Sequence, residues 1–242
     1  MCQTCGCGDP AVVPVDVHAS LLAGNDRQAA HNREHLAAHG VLAVNLMGSP
    51  GAGKTAVLEA TARAAGDLRL GAITGDLATD NDANRLRAVG VPSVAITTGT
   101  ACHLDAALVH GALHDPAIHD VDVLFVENVG NLVCPAVYDV GAAAQVVVLA
   151  VTEGEDKPLK YPVMFAKADL VLLTKIDLLP HLPRVRTGAI LEALARVMPE
   201  PACIAVSAET GEGIEQWLGW LRGRQPATSR LSPAARAAGL GG

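Results

Sequence analysis

"GSPGAGKT", residues 48–55, fills the pattern G-x-x-x-x-G-K-[ST] at every position. The apolar run "VLAVNLM" (41–47) leads into it, and a helix is expected to start near Lys54. The stretch therefore stands at a strand-to-helix junction, where its spacing makes chemical sense. Gly51 and Gly53 let the backbone wrap round phosphate oxygens with N–H groups turned inward, and the helix adds its positive end. Gly48, Ser49, Pro50, Ala52 and Ala56 complete the cradle. Lys54 is placed to reach β- and γ-phosphates, and the Thr55 hydroxyl to take Mg2+. A Gly-rich turn with an incidental lysine is the plain alternative, and the correct flanks on both sides argue against it.

Outward from this junction, apolar runs alternate with helical patterns. Strands are expected at 69–74, 93–97, 121–127, 145–151, 168–174 and 202–207. Helices are expected at 18–39, 81–89, 103–113, 186–197 and 213–223, with a helical turn at the start of "KYPVMFAK". Strand and helix in turn imply a mostly parallel sheet flanked by helices, the three-layer α/β/α form of a P-loop NTPase. Residues 1–17 are expected to be a flexible metal-binding arm, 18–222 the nucleotide domain and 223–242 a disordered tail.

Composition narrows the function. Half of the 242 residues are hydrophobic but only 2% are aromatic, so the core rests on Ala, Val, Leu and Ile. A net charge of −7 argues against a nucleic-acid partner. No secretory leader pattern is visible, and no apolar run reaches the roughly 18 residues of a membrane span. A cytoplasmic protein is expected. In that compartment clustered cysteines point to metal or redox chemistry rather than disulfides.

The base is read from two later segments. In "TKID" (174–177) Asp177 can accept two hydrogen bonds from the N1–H and 2-amino edge of guanine, with the Lys175 stem against the ring. Thr174 stands where Asn is usual, which removes an amide contact and leaves the specifying carboxylate. "SAETGEG" (207–213) resembles the loop of GTPases in which a Ser-Ala backbone, here Ser207–Ala208, touches the guanine oxygen. "FVENVGN" (125–131) ends a strand. Gly130 can sense the γ-phosphate, and Glu127 can hold Mg2+ through water or position the attacking water. Asp76 is a second metal-side candidate; Asp80 reads equally as one or as a helix N-cap.

Cysteine and histidine form two further sets. Cys102 and His103 adjoin just before a helix, and Cys134 lies four residues beyond Gly130. Thiolate and imidazole suit Zn2+ and Ni2+. Three protein ligands leave the shell open to water or to a second copy of the chain across a symmetric contact. Cys203, inside an expected strand, reads as an inert core residue. "CQTCGCG" (2–8) places Cys2, Cys5 and Cys7 on a terminus without a core. A metal site there, which the Met1 α-amine can complete as a fourth donor, competes with a C-x-x-C redox pair.

Taken together, "GSPGAGKT", "TGDLATDNDANRL", "CHLDA", "FVENVGNLVCP", "VTEGEDKPLKYP" and "TKIDLL" closely resemble the HypB family, GTPases that help insert nickel into [NiFe] hydrogenases. The likeness spans roughly 18–222, and "CQTCGCG" extends it to the terminus. It implies a SIMIBI-class P-loop fold, slow GTP hydrolysis to GDP and nucleotide-linked homodimerisation. It also implies partnership with the nickel accessory protein HypA and the hydrogenase large subunit precursor. By the same resemblance, Cys102, His103 and Cys134 are an internal metal site and Cys2, Cys5 and Cys7 an N-terminal nickel site. Many relatives carry a His-rich stretch; here the nine histidines are scattered, which argues against nickel storage.

Two other readings stay open at this stage. One is a thiol metal buffer with a merely structural nucleotide site. The other is a sister accessory GTPase for urease or a cobalamin enzyme, although the Cys-Pro-His motif of the urease type is absent.

Overall fold

The computed structural model describes residues 15–99 and 101–226. Cys2, Cys5, Cys7 and most of the expected arm and tail lie outside the described residues. Seven strands form one all-parallel sheet: β1 (Leu42–Met47), β2 (Leu70–Asp76), β3 (Ser93–Thr97), β4 (Val123–Glu127), β5 (Ala144–Ala150), β6 (Leu170–Thr174) and β7 (Cys203–Val206). Their spatial order is β3-β2-β4-β1-β5-β6-β7. β1 is buried along its whole length, which is why it reads as an apolar run rather than an alternation.

Neighbouring residues on each strand feed opposite faces. Val44, Phe125 and Val148 pack with Leu58 of α2 (Lys54–Ala64), Leu86 of α3 (Asn81–Ala88) and Trp217 of α8 (Ile214–Arg224). Ala43, Ile73 and Leu124 meet Leu36 of α1 (Val15–Ala38) and Val109 of α4 (Ala106–Leu113). Further along that second face, Val147 and Val171 meet Phe165 of α6 (Pro162–Ala166) and Ile190 of α7 (Thr187–Val197). A short α5 (Lys157–Lys160) precedes α6. Fully burying each large side chain contributes about 1.5–3 kcal/mol. At the entering ends of β2 and β4, Arg69 forks onto the Asp122 carboxylate at 3.0 and 2.8 Å.

Three expectations shift. The first helix starts at Val15, not 18, so residues 15–17 of the expected arm are helical. The helix expected at 103–113 begins at Ala106, because the Asp105 carboxylate accepts the Leu108 N–H at 2.8 Å and caps it there. His103 therefore lies on a loop. "KYPVMFAK" holds the end of one short helix and the whole of a second, separated at Pro162, which has no N–H to continue the first.

The chain leaves β1 toward β2 and β3, then returns through β4 to build β5, β6 and β7 on the other side. Such a reversal opens a crevice at the carboxyl ends of the central strands. The loop 48–55 sits in that crevice.

Candidate functional site

A cleft of about 550 Å3 lies over the loop, lined by Gly51, Gly53, Lys54, Thr55 and Ala56 on one side and by Glu127 through Gly130 on the other. Gly53 takes φ 100° at the start of α2, a left-handed conformation that side chains disfavour. Gly130 packs against the loop so closely that a Cβ there would stand 3.0 Å from the Pro50 backbone. A bridge between Gly48 and Asn131 ties the same two segments together. Lys54 is buried, and its Nζ donates to the Gly48 and Ser49 carbonyls at 3.4 Å each. Burial pushes its amine below the ordinary lysine range, while Glu127, Asp82 and Glu153 oppose that shift.

Thr55 Oγ1 stands 2.8 Å from Asp82 Oδ1 and 2.7 Å from Glu127 Oε1. A hydroxyl has one proton to give. It serves one carboxylate, and the other completes the chain only by holding a proton itself. Burial pushes Glu127 up to about 7, despite the lowering by Thr55. Glu127 Oε2 is buried without a hydrogen-bond partner among the described residues. An orphaned carboxylate oxygen beside a hydroxyl and a second carboxylate fits a hard divalent cation such as Mg2+.

Asp76, the second magnesium candidate from sequence, lines the same cleft as Thr55. Its Oδ1 accepts the Ala78 and Thr79 N–H groups at 2.9 and 2.8 Å, which hold its carboxyl below the usual range. Asp82, which also lines the cleft, is the carboxylate that meets the Thr55 hydroxyl. It sits in the first turn of α3, with Arg85 beside it at 3.6 Å. Asp80 occupies the N-cap position of that helix, but its side chain makes no capping bond.

The base side assembles from distant segments. Lys175 adopts φ 61° and donates to the Gly51 carbonyl at 2.7 Å. Thr174 Oγ1 donates to the Ala52 carbonyl at 2.6 Å, so the residue standing in place of Asn fastens β6 to the phosphate loop. Ser207, fully buried, donates to Asp177 Oδ1 at 2.6 Å and itself accepts the Thr210 N–H at 3.1 Å. Asp177 is thus held by its own neighbour, in the manner of a positioned acceptor. The Ala208 carbonyl faces Arg63 at 3.5 Å.

Beyond the cleft, Cys102, His103 and Cys134 converge: one ligand atom from each lies within 4.8 Å of the others. The two sulfurs are 2.9 Å apart, and Cys102 Sγ is 3.8 Å from His103 Nδ1. The His103 ring stacks on Tyr138 with centroids 3.9 Å apart. Burial lowers the His103 pKa, favouring the neutral ligand form. The Cys134 thiol is raised by its hydrogen bond to Cys102 and then by burial.

Asn128, absent from the residues singled out by motif, joins the two regions. Its Oδ1 accepts the N–H of Leu104 at 2.9 Å and of Val129 at 3.0 Å. Its Nδ2 donates to Asn45 Oδ1 at 3.3 Å, and Asn45 donates to Gln145 at 2.8 Å. A polar residue inside the otherwise apolar β1 run was the available signal for this chain; for Asp82 only the acidic first turn of α3 was.

Two short segments from different strand ends thus close over a glycine loop, and residues 42–201 match the family described as CobW/HypB/UreG, nucleotide-binding domain. Fold and cleft define a P-loop nucleotide-binding protein of that class. A hydrogenase maturation factor HypB of Rhizobium leguminosarum bv. viciae is 50% identical over 208 residues, covering 86% of this chain and 69% of its own length. One from Cupriavidus necator is 44% identical over 248 residues, covering 86% and 68%. The crystal structure of HypB from Helicobacter pylori in complex with nickel superposes with a TM-score of 0.78 at 39% identity, covering 84% of this chain and 98% of that one. The chain belongs to the HypB family of hydrogenase maturation factors. No helix among the described residues is long and apolar enough to cross a membrane.

Proposed function

We propose that this chain is a GTP-hydrolysing nickel metallochaperone that assists nickel insertion into [NiFe] hydrogenase, with nucleotide state coupled to metal binding and dimerisation. The observation that carries this reading is continuity. The segment that leaves β4 at Glu127, inside the nucleotide cleft, passes Gly130 over Pro50 and reaches Cys134 in the thiol–imidazole cluster. Asn128 adds a second tie, from the same segment to the loop carrying Cys102 and His103.

In this reading the glycine loop and Lys54 bind the phosphates, and Asp177 selects guanine. Thr55, Asp82 and Glu127 would hold Mg2+, which neutralises phosphate charge when bound. Gly130 reports the γ-phosphate through its N–H. Cys102, His103 and Cys134 take Ni2+ as cargo, or Zn2+ in its place. Exposed Val133 and Val137 flank Cys134, an apolar rim suited to a second copy of the chain. The family implies HypA and the hydrogenase large subunit precursor as partners in the cytoplasm, and an N-terminal nickel site at Cys2, Cys5 and Cys7. The nickel complex of the Helicobacter pylori relative supports the cargo assignment.

The test is nickel affinity and oligomer mass measured with GDP and with a non-hydrolysable GTP analogue. A difference of about 5–150-fold in affinity is the expected size of such coupling. Identical values in the two states leave the thiol-buffer reading instead. Lys54→Ala should abolish hydrolysis, and unchanged turnover would sink the assignment of the phosphate site.

A further inference from the structure

Six histidines that are dispersed in sequence share one surface. His31 and His35 on α1 are continued at the same spacing by His39 just past its end, and His110 on α4 by His114 at its C-cap. Residues spaced by four stand on the same helix face, and packing α1 against α4 merges the two rows. Ring centroids are 5.1 Å apart for His31 and His110, 4.8 Å for His110 and His114, 6.2 Å for His35 and His114, and 4.4 Å for His35 and His39. His119 follows, and a cleft of about 230 Å3 opens between His35, His39, His114 and His119. The chain is therefore not without a histidine-rich region. It builds one from tertiary contacts.

The ring nitrogens are arranged for more than contact. His110 Nε2 and His114 Nε2 lie 3.3 Å apart. Two nitrogens bound at about 2.0–2.1 Å to one tetrahedral ion are separated by about 3.3–3.4 Å. The tautomer of His110 is fixed from behind. Asn32 is fully buried, and its Nδ2 donates to the carbonyls of Ala106 and Val140 at 2.8 and 3.2 Å. Its Oδ1 therefore faces His110 Nδ1, 3.0 Å away. An amide oxygen only accepts, so Nδ1 carries the proton and Nε2 presents a lone pair. His39 is set in the same way, with Nδ1 donating to the His35 carbonyl at 2.8 Å. Histidines that ligate metals are oriented by such outer hydrogen bonds. Burial, then repulsion from neighbouring rings, also lowers the pKa of His35 and His110.

We propose that His110 and His114, whose Nε2 atoms lie 3.3 Å apart, form the core of a second binding site for an imidazole-preferring divalent ion, Ni2+ or Zn2+, with its remaining positions open to water. Imidazole nitrogen suits both ions. The site is distinct from the thiol cluster and stands whether or not nucleotide turnover is coupled to metal. It would let the folded domain retain a cation without a histidine-rich segment.

The test uses the full chain, dialysed to equilibrium against NiCl2 and, separately, ZnCl2. Wild type is compared with His114→Gln, with the His110→Gln/His114→Gln pair and with His181→Gln as a control. The expected result is one fewer ion per chain in the pair and at least a tenfold loss of affinity for that ion in His114→Gln. The near-ultraviolet bands of thiolate-bound nickel should be unchanged. His114 is exposed, so the single variant decides the matter if the pair unfolds. Equal stoichiometry and affinity for both ions in wild type and His114→Gln overturns the proposal, as does an equal loss in the His181→Gln control.

Discussion

The side-chain oxygen of Asn128 accepts the backbone N–H of Leu104 at 2.9 Å, deep in the protein and across 24 residues of sequence. Leu104 directly follows the Cys102–His103 pair. Asn128 directly follows Glu127, which faces the nucleotide cleft. One buried amide therefore holds the loop carrying Cys102 and His103 to the strand end that lines the cleft. Asn128→Leu keeps the approximate shape but strands the N–H groups of Leu104 and Val129. Each stranded group costs about 1–3 kcal/mol. Urea unfolding should show a loss of roughly 2–6 kcal/mol for the two groups together, and the difference in nickel affinity between GDP and GTP-analogue states should shrink several-fold. An undiminished difference would show that the coupling runs through Cys134 alone.

Asp82 and Asp76 make opposite predictions. Asp82 touches Thr55, whereas Asp76 is occupied by its own loop. Asp82→Ala should lower Mg2+-dependent GTP turnover by roughly 10–100-fold, the scale of a lost metal-supporting group. Asp76→Ala should act more weakly and should mainly loosen the loop before α3. Magnesium titrations of both variants would rank them, and the reverse order would restore Asp76 to the metal.

The Ser207–Asp177 pair makes base selection testable. Asp177→Asn replaces an acceptor with an amide that donates toward the base. It should weaken GTP binding by at least about tenfold, consistent with the strong rejection that follows when buried polar groups lose their partners. Binding of xanthosine triphosphate, whose 2-oxo group accepts that donor, should improve. Fluorescent-nucleotide titrations measure both. Ser207→Ala should give a smaller loss in the same direction, because only the orientation of Asp177 is relaxed.

Cys203 supplies a pH prediction. Burial in β7 raises its thiol to about 11. The thiolate, which is the reactive form, is then only about one part in a thousand at pH 8. Alkylation of the native chain by iodoacetamide should be slow at Cys203 at pH 8. It should accelerate as pH rises toward 11, since a raised pKa keeps the proton on until then. Peptide mass spectrometry at successive pH values follows it. Rapid labelling at pH 7 would mean that the strand edge opens.

Much of this was legible in the chain itself. "GSPGAGKT" between an apolar run and a helix determines a phosphate loop, because only glycine tolerates the backbone path and the lysine must follow at fixed spacing. All seven strands could be read, since a sheet covered on both faces demands continuous apolar runs. The grouping of Cys102, His103 and Cys134 was legible as a resemblance, and the structure brings the three together.

Other features depend on which residues meet across the fold, and spacing along one chain does not encode that. Asp76 ends β2, and Asp82 is another acidic residue a few positions on. Only the packing of α3 on α2 decides that Asp82 faces Thr55. Nine histidines look scattered because their order in sequence hides two rows of period four, on helices separated by more than sixty residues. The apposition of α1 and α4 turns those rows into one surface. The sequence by itself determined the class of chemistry, through local backbone rules and side-chain type. Tertiary structure alone decided the donor partners, because a hydrogen bond or metal contact is a distance of a few ångströms in space.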